Sequence, residues 1–219
     1  MINGSWKGQH LPDSLKGRHL IVSSVHYTNI QINSGLYKKA LESIPLTENI
    51  LGKYPHAAGD DFLFIFNYQS AYLHFIFGNY RQALTSLNKI LNQKIEKVLV
   101  REDVYCAARI LYMLTNYEMY KENLTEYLVK STYNFLVKRK RLSKIENVFL
   151  NFIKNKLFKN LQPAQMLHEL KTVKEEITKL KDNVFEKNIM ESLDYISWVE
   201  SKIIRKPFID VLRGKHSRL

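Results

Sequence analysis

The densest charge in the sequence is the run Lys138-Arg139-Lys140-Arg141, with Lys144 close behind. From Lys138 to Lys159 there are eight basic residues and a single acid, Glu146. Such a run can contact nucleic-acid phosphates or an acidic protein surface. It can equally be the solvated end of a helix, because four cations just after Val137 complement the negative end of the helix dipole. Single-strand binding also calls for aromatic rings exposed beside the cations, whereas Phe149 and Phe152 fall on an apolar helical face. The helix-end reading is therefore preferred, and nucleic acid stands as the alternative.

Acid–base and metal chemistry have less to build on. The acidic pairs Asp60-Asp61 and Glu102-Asp103 stand at expected helix starts, where capping and the dipole account for them. Glu175-Glu176 lies amid Lys171, Lys174 and Lys179, in reach of ordinary i, i+4 surface pairs. The seven histidines do not cluster, and no H-x-x-x-H or H-E-x-x-H occurs. There is no G-x-S-x-G, P-loop or G-x-G-x-x-G. The one cysteine, Cys106, sits in an apolar run, as a buried inert thiol would. No catalytic residue, cofactor or metal is expected, and the chain is read as non-enzymatic. The polar residues that stand out are Asn67, Ser70 and His74, inside an otherwise apolar segment. They are candidates for contacting a partner, or for bonding to neighbouring backbone.

The elements that position these residues follow from apolar spacing. The stretch Phe62–Ile95 holds two apolar segments of helix length that meet at Gly78-Asn79-Tyr80. The second carries Ala83, Leu84, Leu87, Ile90 and Leu91, one stripe of a 3.6-residue period. A helical hairpin with Gly78 at its turn is expected. Upstream, residues 18–33 permit a strand through their β-branched content, but helix is preferred because Ser34-Gly35 then opens a second segment over residues 36–53. Pro45 kinks that segment or ends it early. Downstream, helices are expected over residues 101–117, 122–137, 143–158 and 163–181. Ser143-x-x-Glu146 is a capping box, and Pro163 suits a first helical turn. A ninth helix over residues 184–204 carries Ile189, Leu193, Ile196, Val199 and Ile203. Its other side, with Glu186, Lys187, Glu191, Asp194 and Glu200, is expected to face solvent. Residues 1–17 are read as a flexible tail, residues 18–204 as the helical array and residues 205–219 as a basic tail.

Self-similarity runs through this array. Gly35-Leu36-Tyr37-Lys38-Lys39-Ala40 matches Gly78-Asn79-Tyr80-Arg81-Gln82-Ala83, and Glu118-Met119-Tyr120 begins a weaker third copy. Glycine turns the chain, tyrosine opens the second helix, and alanine permits close approach of the facing helix. The pattern resembles the tetratricopeptide repeat at its inter-helix turn. On that resemblance, Ala71 stands at the first helix's small position, and Gly78, Tyr80 and Ala83 at the turn glycine, the tyrosine and the second small position. Gly35, Tyr37 and Ala40 repeat the pattern. The chain departs from the family at Asn67 and His74, which occupy aromatic positions, and in its longer period. The resemblance implies an all-α superhelix of about four helix pairs plus a C-terminal capping helix. Its concave face would bind peptide segments of a partner protein.

Composition agrees with an all-α scaffold. With 8 Gly and 5 Pro in 219 residues, the composition argues against a turn-rich β protein. The net charge of +12 is uneven: residues 1–120 hold 12 Lys+Arg against 9 Asp+Glu, and residues 121–219 hold 21 against 12. An acidic partner would be sought on the second half. No apolar stretch reads as a signal peptide or membrane span, so a cytoplasmic setting is expected. The first helix pair lacks a polar outer cap, which suggests a homodimer through that end.

Overall fold

The computed structural model describes residues 12–94, 98–120, 122–159 and 161–216, and no strand occurs among them. Eleven α-helices are present among the described residues. They are α1 Asp13–Asn33, α2 Tyr37–Lys53, α3 Asp60–Ile76, α4 Tyr80–Leu91, α5 Glu102–Glu118 and α6 Glu122–Lys138. After these come α7 Lys144–Phe152, α8 Pro163–Leu180, α9 Val184–Ser192, α10 Tyr195–Ile204 and α11 Phe208–His216. None of the helices among the described residues is long and apolar enough to cross a membrane. The chain divides into two compact units, Met1–Phe66 and Asn67–Leu219, with the division inside α3.

In the first unit α1 packs along α2. α1 starts five residues before the expected array, and only residues 1–11 of the expected tail lie outside the described residues. Gly17 explains the difference. It is buried, and a Cβ there would lie 2.6 Å from Tyr54 Cβ and Cγ. The glycine read as tail material thus lets α1 approach the end of α2. Thr28 and Ser43 share a 3.0 Å hydrogen bond between the two helices. Pro45 does not end α2. It sits on the exposed face, where solvent can satisfy the Leu41 carbonyl that loses its donor. The outer side of α1 exposes Leu20, Tyr27 and Ile30.

The expected turn glycines end α1 and α3. Gly35 and Gly78 have φ of 72° and 76°. Leu36 N–H reaches back to the Gln31 carbonyl at 2.8 Å, and Asn79 N–H to the His74 carbonyl at 2.8 Å, so both ends are Schellman motifs. Ala40, Ala71 and Ala83 are fully buried, as close helix approach requires. The third copy is out of register, however. The left-handed residue after α5 is Tyr120, with φ of 57°, not Glu118. Tyr120 is 91% exposed, whereas Tyr37 of the first copy is buried. With Tyr120 in the place of Gly78, it is Thr125, fully buried, that falls where Ala83 does. Lys140 and Arg205 likewise hold left-handed turns without glycine.

In the second unit the core gathers on α10. The expected ninth helix is two helices, α9 and α10, broken at Leu193-Asp194. Asp194 caps α10 by accepting from Ser197 N–H at 2.9 Å and from the Ser197 hydroxyl at 2.8 Å. It also pairs with Lys215 of α11. Tyr195 and Trp198 are among the largest fully buried side chains. The Trp198 ring meets Phe149 of α7 at 5.4 Å and Tyr117 of α5 at 5.9 Å, while its Nε1 donates to Glu118. α10 also packs on α8 and α11. The segment read as a solvent-facing cap is therefore central, and Glu186 and Asp194 of its supposed outer face are buried. The supposed basic tail contains α11, while residues 217–219 lie outside the described residues. Phe208 of α11 packs on Phe75, and Arg213 stacks over Phe77 at 5.7 Å. Tyr68 of α3 donates to the Ser192 carbonyl at the end of α9. A linear stack has contacts only between neighbouring repeats; these contacts join residues more than a hundred positions apart.

Candidate functional site

A groove of about 290 Å³ opens between α7 and α8. Both of its walls are firmly set. At the start of α7, Ser143 and Glu146 complete the expected capping box: Glu146 N–H donates to the Ser143 hydroxyl at 3.0 Å, and Ser143 N–H to the Glu146 carboxylate at 2.9 Å. The next two donors, Lys144 N–H and Ile145 N–H, are taken by the two oxygens of Glu186 at 3.1 and 3.0 Å. Every orphan N–H of that helix start is thus satisfied by a carboxylate or hydroxyl. Burial, and then the nearby charge of Glu186, push the Glu146 carboxyl above its usual range. α8 begins with Pro163 at its first position, after a Gln162–Gln165 capping box.

α7 runs on into a π-helical turn, Ile153–Leu157. Along this wall stand Asn147, Asn151 and Asn155, four residues apart, and all three line the groove. Asn151 Nδ2 donates to Asn147 Oδ1 at 3.0 Å, which fixes the two amides relative to each other. Glu169, Thr172 and Glu176 of α8 form the facing wall, and Phe152 and Val173 are the buried apolar residues between. Lys156 bridges the walls through a 2.6 Å ion pair with Glu169. Polar, amide-rich walls over an apolar floor suit hydrogen bonding to a bound chain or small polar molecule.

The residues singled out in the sequence fall elsewhere. Ser70 is buried, and its hydroxyl shares a 3.0 Å hydrogen bond with Ser86 of α4, which ties α3 to α4. Asn67 and His74 are half-buried on α3. Tyr80 packs on Phe75 at 5.9 Å, and burial, with the charges of Glu118 and Tyr120, pushes its hydroxyl up to about 12. In the basic run, Arg139 and Arg141 both pair with Glu102 at the start of α5. Lys138, Lys140 and Lys144 remain exposed. The run is thus divided: two guanidinium groups tie the end of α6 to α5, and three ammonium groups face outward. Burial pushes the Cys106 thiol up to about 12, which keeps it a non-nucleophilic thiol. Among the described residues no group of three or more His, Cys, Asp or Glu is placed to hold a metal ion.

Compared with protein families, with curated proteins and with solved structures, the chain gives no match. The groove thus has to be read from its own residues. Its sequence signal was the spacing Asn-x-x-x-Asn-x-x-x-Asn from 147 to 155, which puts three amides on one helical face.

Proposed function

We propose that the protein is a non-enzymatic interaction module that holds a segment of a partner protein in the groove between α7 and α8. The observation that carries this reading is the row of three asparagines facing a polar wall across an open cleft. Further support comes from the helix pairs themselves. The left-handed glycine turns that end α1 and α3, and the alanines buried in α2, α3 and α4, resemble those of tetratricopeptide pairs, which present grooves to peptides; α7 and α8 share the helix-on-helix packing but not these residues. The nucleic-acid reading has less behind it, because Arg139 and Arg141 are engaged by Glu102.

The test is selection of a randomised displayed peptide library on the full chain, with Thr172→Trp as counter-screen. Tryptophan at position 172 fills the cleft from the α8 wall. Peptides enriched on the wild-type chain should bind the variant at least ten-fold more weakly while its thermal melt stays unchanged. Enrichment that is equal on both chains, or absent, would sink the reading.

A further inference from the structure

The spacing of the groove's amides matches the repeat of an extended chain; this inference rests on the protein-binding reading above. Asn147, Asn151 and Asn155 advance by four residues at each step, about 6 Å of helix per step. Two residues of an extended chain advance about 6.6 Å, and peptide groups facing one side recur at that interval. A carboxamide carries both a donor and an acceptor, the complement of one peptide group. On a regular helix each such step drifts around the axis by about 40°. The extra residue accommodated in the π-helical turn takes drift out, and Asn155, inside that turn, lines the same groove as the other two. A helical ligand has its main-chain groups bonded internally and would leave the row unused. Of the acids on the facing wall, Glu169 is engaged by Lys156 across the groove, while Glu176 is exposed and brings negative charge there.

We propose that the groove recognises the main chain of an extended peptide through the amides of Asn147, Asn151 and Asn155, with a lysine or arginine of that peptide beside Glu176. The two parts are separable. Main-chain recognition is insensitive to peptide sequence; the Glu176 contact selects charge.

Fluorescence anisotropy at about 0.15 M salt, where long-range charge is largely screened, tests both with a labelled serine nonapeptide carrying one central lysine. Its comparators are a counterpart N-methylated at every peptide bond, which has no main-chain amide N–H, and a version with glutamate in place of lysine. The wild-type chain should bind the serine–lysine peptide at least ten-fold more tightly than either comparator. Asn151→Leu should lose ten-fold with an unchanged thermal melt, and Glu176→Lys should invert the preference between the lysine and glutamate peptides. Equal binding of the N-methylated peptide, full binding by Asn151→Leu, or no binding by the wild-type chain overturns the proposal. Display-selected peptides that are blocked by Thr172→Trp, yet indifferent to Asn151→Leu and to N-methylation, would overturn it and leave the protein-binding reading standing. Peptides indifferent to Thr172→Trp would remove both.

Discussion

Among the described residues, five helix ends use a left-handed residue, and two of these residues are glycine. At Gly78 open space surrounds the position of a Cβ, so Gly78→Ala isolates the backbone cost of a positive φ. A loss of about 1–2 kcal/mol is expected in denaturant unfolding. Lys140 occupies the same conformation at the end of α6, and Lys140→Gly should gain about 0.5–1 kcal/mol in the same measurement. Glu146 supplies a pH signature. Its carboxyl is raised above the ordinary glutamate value, so the folded chain binds a proton there more readily than the unfolded chain does. That contribution to stability is present at low pH and is lost as pH rises through the raised value. Glu146→Gln keeps an oxygen for Ser143 N–H and removes the charge. Its urea midpoint relative to wild type should therefore improve as pH climbs from 4 to 7. A difference that stays constant over that range would show that the Glu186 charge and burial have no net effect on Glu146.

At the scale of the element, the start of α7 depends on a residue 41 positions beyond Ile145. Glu186→Ala strips the partner from two N–H groups, one of them buried, at a cost of about 2–4 kcal/mol. Chemical denaturation of that variant against Lys187→Ala, its exposed neighbour, checks this. Helix type and most boundaries were legible in the sequence, because apolar spacing and local caps set them: Ser143-x-x-Glu146, Pro163 and Gly78 all act as their chemistry dictates. What was not legible depends on partners distant in sequence. Glu186 and Asp194 look like surface charge along a 3.6-residue period, and only the folded chain shows the N–H groups that each accepts. Gly17 looks like tail because the side chain that demands its missing Cβ, Tyr54, comes 37 residues later. The groove was half legible, since the asparagine spacing is visible in the sequence and the facing wall of α8 is not. Trp198 separates a peripheral helix from a central one. Trp198→Ala should cost about 3–5 kcal/mol if α10 is the core element its burial indicates, and thermal denaturation reads that directly.

At the scale of the whole molecule, charge and topology act separately. The excess of +9 in residues 121–219 gives a long-range attraction for polyanions. Lys138→Glu with Lys140→Glu should lower the salt needed to elute the chain from a polyanion column and lower its melting temperature only slightly, through the helix-end charge that they reverse. Arg139→Glu should lower the melting temperature as well, because it sets a carboxylate against Glu102. Topology bears on how the chain comes to be folded at all. Phe75 waits for Phe208, Glu118 for Trp198, and Tyr68 for the Ser192 carbonyl. Each of those earlier residues leaves the ribosome well before the one that covers it. Loop closure over such distances is slow, and apolar surface left bare in the interval invites aggregation. Until Phe208 and Arg213 have been made, Phe75 and Phe77 lack the late neighbours that cover them in the folded chain, so a chaperone that shields nascent helices is where this protein's biosynthesis should be most sensitive.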